Sequence, residues 1–178
     1  MKKYIRKISL EKRKCLDIQK LSNGILTNLF SLEEYKNAKN IMCYYPLKYE
    51  VQIQACLCDN SKNWFLPRVK DDKIEVCPYC ESELKKGHFG IFEPCGKQID
   101  SCDNLDLIIM PAVAADIKGY RIGYGKGFYD RFLFSIKTSA KKIIPLYSEL
   151  IYPNTFPEEH DIKADIVVTE KQILKIYC

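Results

Sequence analysis

The stretch "LDLIIMPAVA", residues 105–114, limits what this chain can fold into more than any other part of it. Its apolar side chains do not alternate with polar ones, so a strand built from it has both faces turned away from water. Strands of that kind lie inside parallel sheets covered by helices. The glycine-rich segment "GYRIGYGKG" begins five residues later, and "GFYDRFLFSIK", with helical spacing, overlaps its end. Strand, glycines and helix in that order place the glycines beyond the carboxyl end of a central strand, where α/β sheets bind their ligands.

The remaining pattern agrees. Helical spacing over residues 2–21 puts Ile5, Ile8, Cys15 and Leu16 on one stripe and Lys2, Arg6 and Arg13 on an adjoining face. A second helix is expected after Ser31, with Glu33 and Glu34 in its first turn, and a third over residues 50–58. The segments "NIMCYYP", "NWFLP", "KIEVCPY", "KKIIPLY" and "ADIVVTE" read as strands, the second and third joined by a polar turn at residues 70–73. "FGIFEP" reads as a loop, and Phe128, Phe132, Phe134 and Ile136 are expected around a well-buried helix. Together these predict an α/β fold: one domain over residues 1–178, a three-layer α/β/α arrangement with a mostly parallel central sheet.

The net charge of +5 is confined. Residues 1–14 hold seven Lys or Arg and one Glu, whereas the other 164 residues hold 21 basic and 22 acidic side chains. A nucleic-acid-binding face spread over the domain is therefore not expected, although a phosphate-bearing partner near the first helix fits. No apolar run is long enough to cross a bilayer, and no apolar leader follows the basic N-terminus, so a cytoplasmic protein without membrane contact is expected. Nine cysteines, an odd number, fit reduced thiols better than a disulfide framework. Cys77 and Cys80 have metal-like spacing but lack a second pair, and are read as structural.

The glycine segment fails two familiar phosphate fingerprints. It lacks the Ser or Thr of a P-loop, and Phe128 stands where the third glycine of a dinucleotide motif belongs. What remains is Gly123-x-Gly125-x-Gly127 running into a helix start. Two readings stay open: amides converging on an anion beside Arg121 and Lys126, with Asp130 available to Mg²⁺, or a glycine-rich hairpin whose charges face water.

The run "PAVAADIKGYRIGYGKGFYDR", residues 111–131, resembles the signature of the 5-formyltetrahydrofolate cyclo-ligases. It keeps Pro111, Asp116, Gly119, Arg121, Gly123, Gly125, Gly127, Tyr129, Asp130 and Arg131, and departs at Ala112, Ala115 and Phe128, the last losing a tyrosine hydroxyl. "YYPLKYEV", "FLPRV", "FGIFEP" and "HDIKADIVVT" are similar to other motifs of the family and occur in the same order.

The resemblance implies an ATP- and Mg²⁺-dependent closure of 5-formyltetrahydrofolate, polyglutamylated or not, to 5,10-methenyltetrahydrofolate by a monomer. The alternative is a relative that binds nucleotide or folate without turnover. By the same resemblance Lys2, Arg6, Arg121, Gly123, Gly125, Lys126, Gly127 and Tyr129 meet ATP. Arg121, Lys126 and Tyr129 among them carry the chemistry. Tyr45, Glu50, Phe89, Tyr124 and Phe128 meet the folate, and Asp130 and Asp161 the metal.

Overall fold

In the computed structural model, which describes residues 1–87 and 90–177, the apolar run of residues 105–114 is not one strand but parts of two. Its first half forms β6 (Leu107–Ile109), buried at every position. The Met110 amide makes a last sheet bond to the Ile143 carbonyl at 2.8 Å. Pro111 has no N–H to offer a ladder, and the chain leaves the sheet there. Its second half opens β7 (Ala114–Asp116), which belongs to a different sheet.

The central sheet contains, among the described residues, β1 (Asn40–Met42), β2 (Asn63–Lys70), β3 (Lys73–Pro78), β6, β9 (Lys141–Pro145), β11 (Ile166–Val168) and β12 (Ile173–Lys175). Its order is β12-β11-β9-β6-β1-β2-β3. The four inner pairings are parallel, and β12 and β3 close the two edges antiparallel. The fold is thus mixed α/β around a large, mostly parallel sheet, as expected. Its core is a continuous cluster that includes Ile41, Leu107, Ile108, Ile143, Ile144 and Val167, all fully buried. The β2–β3 turn holds Asp71 and Asp72 at φ 48° and 59°, the left-handed pair that a tight hairpin requires.

Several local expectations change. The predicted helix over residues 2–21 is two helices, α1 (Lys2–Arg13) and α2 (Ile18–Ser31). Asp17 separates them by capping α2 through the Lys20 amide at 3.1 Å. A short α3 (Glu33–Asn37) follows. Residues 50–58 are helical only from Gln54, as a 3₁₀ turn, so Glu50 sits in an irregular bend. "FGIFEP" includes β5 (Phe92–Pro94), paired with β4 (Leu84–Lys86). The helix after the glycines, α4 (Phe128–Ser135), buries Phe132 and Leu133 but leaves Phe134 84% exposed, so it is not buried all round.

A three-stranded sheet of β10 (Ile151–Tyr152), β7 and β8 (Arg121–Ile122) carries the glycine segment. The hairpin, β7–β8, lies ahead of Gly123-x-Gly125-x-Gly127 rather than on it, and its Arg121 is buried instead of facing water. Gly119 turns that hairpin at φ +87°, and a Cβ there would lie 2.8 Å from the Ala164 carbonyl oxygen. Gly119→Ala should cost about 1–3 kcal/mol in urea unfolding, because the left-handed backbone and the backbone clash act together. Ile5 of α1 packs with Ala114 and Ile122, and Ser9 bonds the Tyr152 hydroxyl at 2.9 Å. These contacts seat α1 across the small sheet and bring Arg6 to the glycine loop.

Candidate active site

The first turn of α1 contains no acidic residue and carries Lys2, although the helix dipole disfavours cations there. Such a local conflict is often the mark of a site. Lys2 is held by Asp161 through an ion pair and by Glu158 at 3.3 Å. One turn on, Arg6 Nε donates to the Gly123 carbonyl at 2.7 Å. Its guanidinium carbon lies 3.3 Å from where a Cβ on Gly125 would stand, and Gly125 has φ +99°. Glycine is needed there both for the backbone turn and for the approach of the cation. Gly127, also left-handed, precedes α4 and puts Asp130 in its first turn.

Arg121, on β8, is 6% exposed and pairs with Asp130 through two contacts of 3.2 Å, from Nη1 to Oδ2 and from Nη2 to Oδ1. Only the first has hydrogen-bond geometry, leaving Nη2 and Nε as buried donors without a partner among the described residues. The Tyr129 hydroxyl is in the same position, and the Arg121 guanidinium lies 5.7 Å from its ring centre. Burial holds the Tyr129 phenol far above its ordinary range, so it remains a neutral donor. Asp130 Oδ1 also accepts from the Ile162 amide at 3.2 Å, which brings it beside the segment bearing Asp161.

Glu50 is 4% exposed. Its Oε2 accepts from the Leu47 amide at 2.8 Å and its Oε1 from the Tyr124 hydroxyl at 2.9 Å. Burial raises its carboxyl above the usual range, against the pull of those two donors and of Arg13. For Asp161, burial alone would raise the carboxyl, but the Glu158 amide and Lys2 together bring it below the ordinary value of 3.8. A depressed carboxyl contributes stability that is present above that value and lost as pH falls through the lower, folded one. Asp161→Asn should therefore flatten the stability-versus-pH curve below about pH 4, read by urea midpoints, and leave its slope near neutrality unchanged.

These groups open on one cleft of about 940 Å³. It brings together every described residue singled out from the sequence: Lys2, Arg6, Tyr45, Glu50, Arg121, Gly123, Tyr124, Gly125, Lys126, Gly127, Phe128, Tyr129, Asp130 and Asp161. Phe89 lies outside the described residues. The rest of the lining includes Val69, Ile74, Ile91 and Phe92. The Phe128 ring, expected to face a ligand, has the Arg131 guanidinium 5.3 Å from its centre. Three residues have parts that the sequence does not assign. Phe92 packs against Tyr45 with ring centres 5.3 Å apart, and Arg13 reaches Tyr124 from the end of α1. Asp116, in the motif, ties the hairpin to Thr155. Arg13 had a signal, since it lies seven residues from Arg6 and so on nearly the same helix face.

The cleft joins buried cationic donors, glycines beside a helix start, and a buried carboxylate among aromatic rings, an arrangement suited to an anionic, ring-bearing ligand. Residues 1–170 match the sequence model of the 5-formyltetrahydrofolate cyclo-ligase family, and the chain belongs to that family; by membership it is an enzyme of the ligase class. A probable 5-formyltetrahydrofolate cyclo-ligase of Schizosaccharomyces pombe is 32% identical, over 90% of this chain and 88% of its own. The 5-formyltetrahydrofolate cyclo-ligase of Mus musculus is 27% identical, over 96% and 90%. The 5,10-methenyltetrahydrofolate synthetase of Aquifex aeolicus superposes with a TM-score of 0.88 at 33% identity, over 99% of this chain and 93% of its own.

Proposed function

We propose that this chain converts 5-formyltetrahydrofolate to 5,10-methenyltetrahydrofolate with cleavage of ATP to ADP and phosphate. The observation that carries the reading is the meeting, in one cleft, of Lys2, Arg6 and Arg121 with the buried Glu50 carboxylate. Family membership supplies the reaction class.

The formyl oxygen is a poor leaving group. Attack by that oxygen on the γ-phosphorus of ATP breaks the bond to ADP and leaves a phosphorylated iminium carbon. N10 then adds to that carbon and loses its proton, and the formyl oxygen departs as part of phosphate. Little covalent help from the protein is required; positioning and charge neutralisation carry such transfers. In this reading Lys2, Arg6 and Lys126 neutralise the phosphate chain, the unpaired Arg121 donors take the charge that grows on the transferred group, and the Tyr129 hydroxyl donates beside them. Glu50 accepts from the 2-amino group and ring N–H of the pterin, with Tyr45, Tyr124 and Phe128 around the ring.

Asp130 and Asp161 fit Mg²⁺ as hard oxygen donors on one cleft, Asp130 bonded to the amide of Ile162, the residue next to Asp161. Among the described residues no group of three or more His, Cys, Asp or Glu is arranged to hold a metal by itself, so the ion would share phosphate and water with two carboxylates. When bound it would supply neutralisation of phosphate charge. A cytoplasmic setting belongs to the same reading; eight described cysteines are free thiols.

The test is the near-ultraviolet absorbance of the methenyl product. Folded protein with 5-formyltetrahydrofolate, Mg²⁺ and ATP should produce it, and omission of ATP should stop it. Binding of both ligands without product would refute the reading.

A further inference from the structure

Arg13 ends α1 with its side chain turned inward, 1% exposed. Its Nη2 donates to the Ala112 carbonyl, and its Nη1 donates to the Tyr124 hydroxyl at 3.2 Å. That hydroxyl donates in turn to Glu50 Oε1 at 2.9 Å. Each donor in the chain points the same way, so guanidinium, phenol and carboxylate polarise one another in one direction.

We propose that Arg13, acting through Tyr124, is a positioning residue that keeps the Glu50 carboxylate ionised and aimed at the folate ring. This rests on the proposed function, which needs Glu50 as an acceptor of the pterin's ring donors. A protonated Glu50 would present a hydrogen where the ring presents hydrogens too. Burial works toward that wrong state, because it penalises the charged form. The groups facing Glu50 are Arg13 from α1, Tyr44 beyond β1, Tyr124 from the glycine loop, Tyr129 from α4, and Tyr147 beyond β9. Tyr147 is committed to the Glu50 carbonyl at 2.8 Å and Tyr44 to the Val51 carbonyl at 3.0 Å. Arg13 is the cation among them, and Tyr124 is the hydroxyl that connects it to the carboxylate. Tyr124 thus acts through its oxygen as much as through its ring. Arg13 is placed by the Ala112 carbonyl and has no need to touch the ligand.

The experiment measures 5-formyltetrahydrofolate binding from pH 5 to 8 by titration calorimetry for the full chain, Tyr124→Phe, Arg13→Lys and Glu50→Gln. Wild type should lose affinity as pH falls and Glu50 takes up a proton. Tyr124→Phe, which keeps the ring, should bind roughly tenfold more weakly at pH 7, with the acid limb moved up by about one pH unit. The KM for ATP should stay as in wild type. Arg13→Lys should move the limb in the same direction, and Glu50→Gln should abolish it. The inference is overturned if the Tyr124→Phe limb stays where it is, whether or not affinity falls, or if Glu50→Gln retains the limb. Since Arg13→Lys alters a buried group and can impair folding, Tyr124→Phe decides. A wild type that binds no folate at any pH overturns the functional reading, and this inference with it.

Discussion

Replacing Arg121 by lysine should lower kcat on the order of a thousandfold, with both substrates saturating and the protein still folded. Arg121 is nearly fully buried, yet two of its nitrogens lack a hydrogen-bond partner among the described residues. A buried donor left unpaired costs about 1–3 kcal/mol, which a bound anion would recover. Asp130 fixes one edge of the guanidinium through the 3.2 Å contacts, and Tyr129 lies against its face. The free edge is thereby held before the ligand arrives. Lysine keeps the charge but loses the planar fork, and its ammonium cannot pair with Asp130 and a transferring phosphate in the same geometry. Because the lost interaction belongs to the transition state, KM values should change much less than kcat. A fall in kcat of less than tenfold, measured by product absorbance, would remove Arg121 from the chemistry.

Asp116→Ala should destabilise the protein by about 3–5 kcal/mol, a fall in Tm of about 10 °C in calorimetry. Asp116 is 1% exposed, and both of its oxygens are occupied. Oδ1 accepts from the Lys118 and Tyr120 amides, each at 3.0 Å, and Oδ2 from the Thr155 amide at 3.0 Å and the Thr155 hydroxyl at 2.7 Å. Alanine would strand these donors at the turn that sends Arg121 back toward the cleft. Asp116→Asn should cost less and still destabilise, since one side of its amide would face donors with donors. A change in Tm below about 3 °C for the alanine variant would contradict this account of the hairpin.

The parallel sheet could be read from the chain because "LDLIIMPAVA", "KKIIPLY" and "ADIVVTE" are apolar on both faces, a pattern that solvated strands do not allow. Pro111 was visible too, but not that β6 ends before it while β7 joins a second sheet; that depends on partners distant in sequence. The last ten residues of α2 have a weak local helical pattern, "SNGILTNLFS", and are held by burial of Ile25 and Leu29 and by the Asp17 cap. Conversely, residues 50–53 have helical charge placement but no helix. There the Glu50 carbonyl is taken by Tyr147 and Gln52, and Leu47 by the Glu50 carboxylate.

The site was legible where residue type and spacing coincide. Lys2 and Arg6, four apart on α1, line one cleft, Arg6 on the glycine loop and Lys2 on Asp161. Arg13 shares their face but diverges inward, and only packing reveals its partner. The same holds for Tyr124. Its ring could be expected near a ligand, whereas its bond to Glu50 joins positions 74 residues apart. The Arg121–Asp130 pair was likewise hidden, with Asp130 expected near a metal and its cation found only in three dimensions.

The central claim is that ATP activates the formyl oxygen itself. It is tested most directly with 5-formyltetrahydrofolate carrying ¹⁸O in the formyl group, followed through one turnover with ATP and Mg²⁺. The account predicts that the label appears in inorganic phosphate, one labelled oxygen for each methenyl product formed. Label released as water, or product formed at an equal rate without ATP, would contradict it.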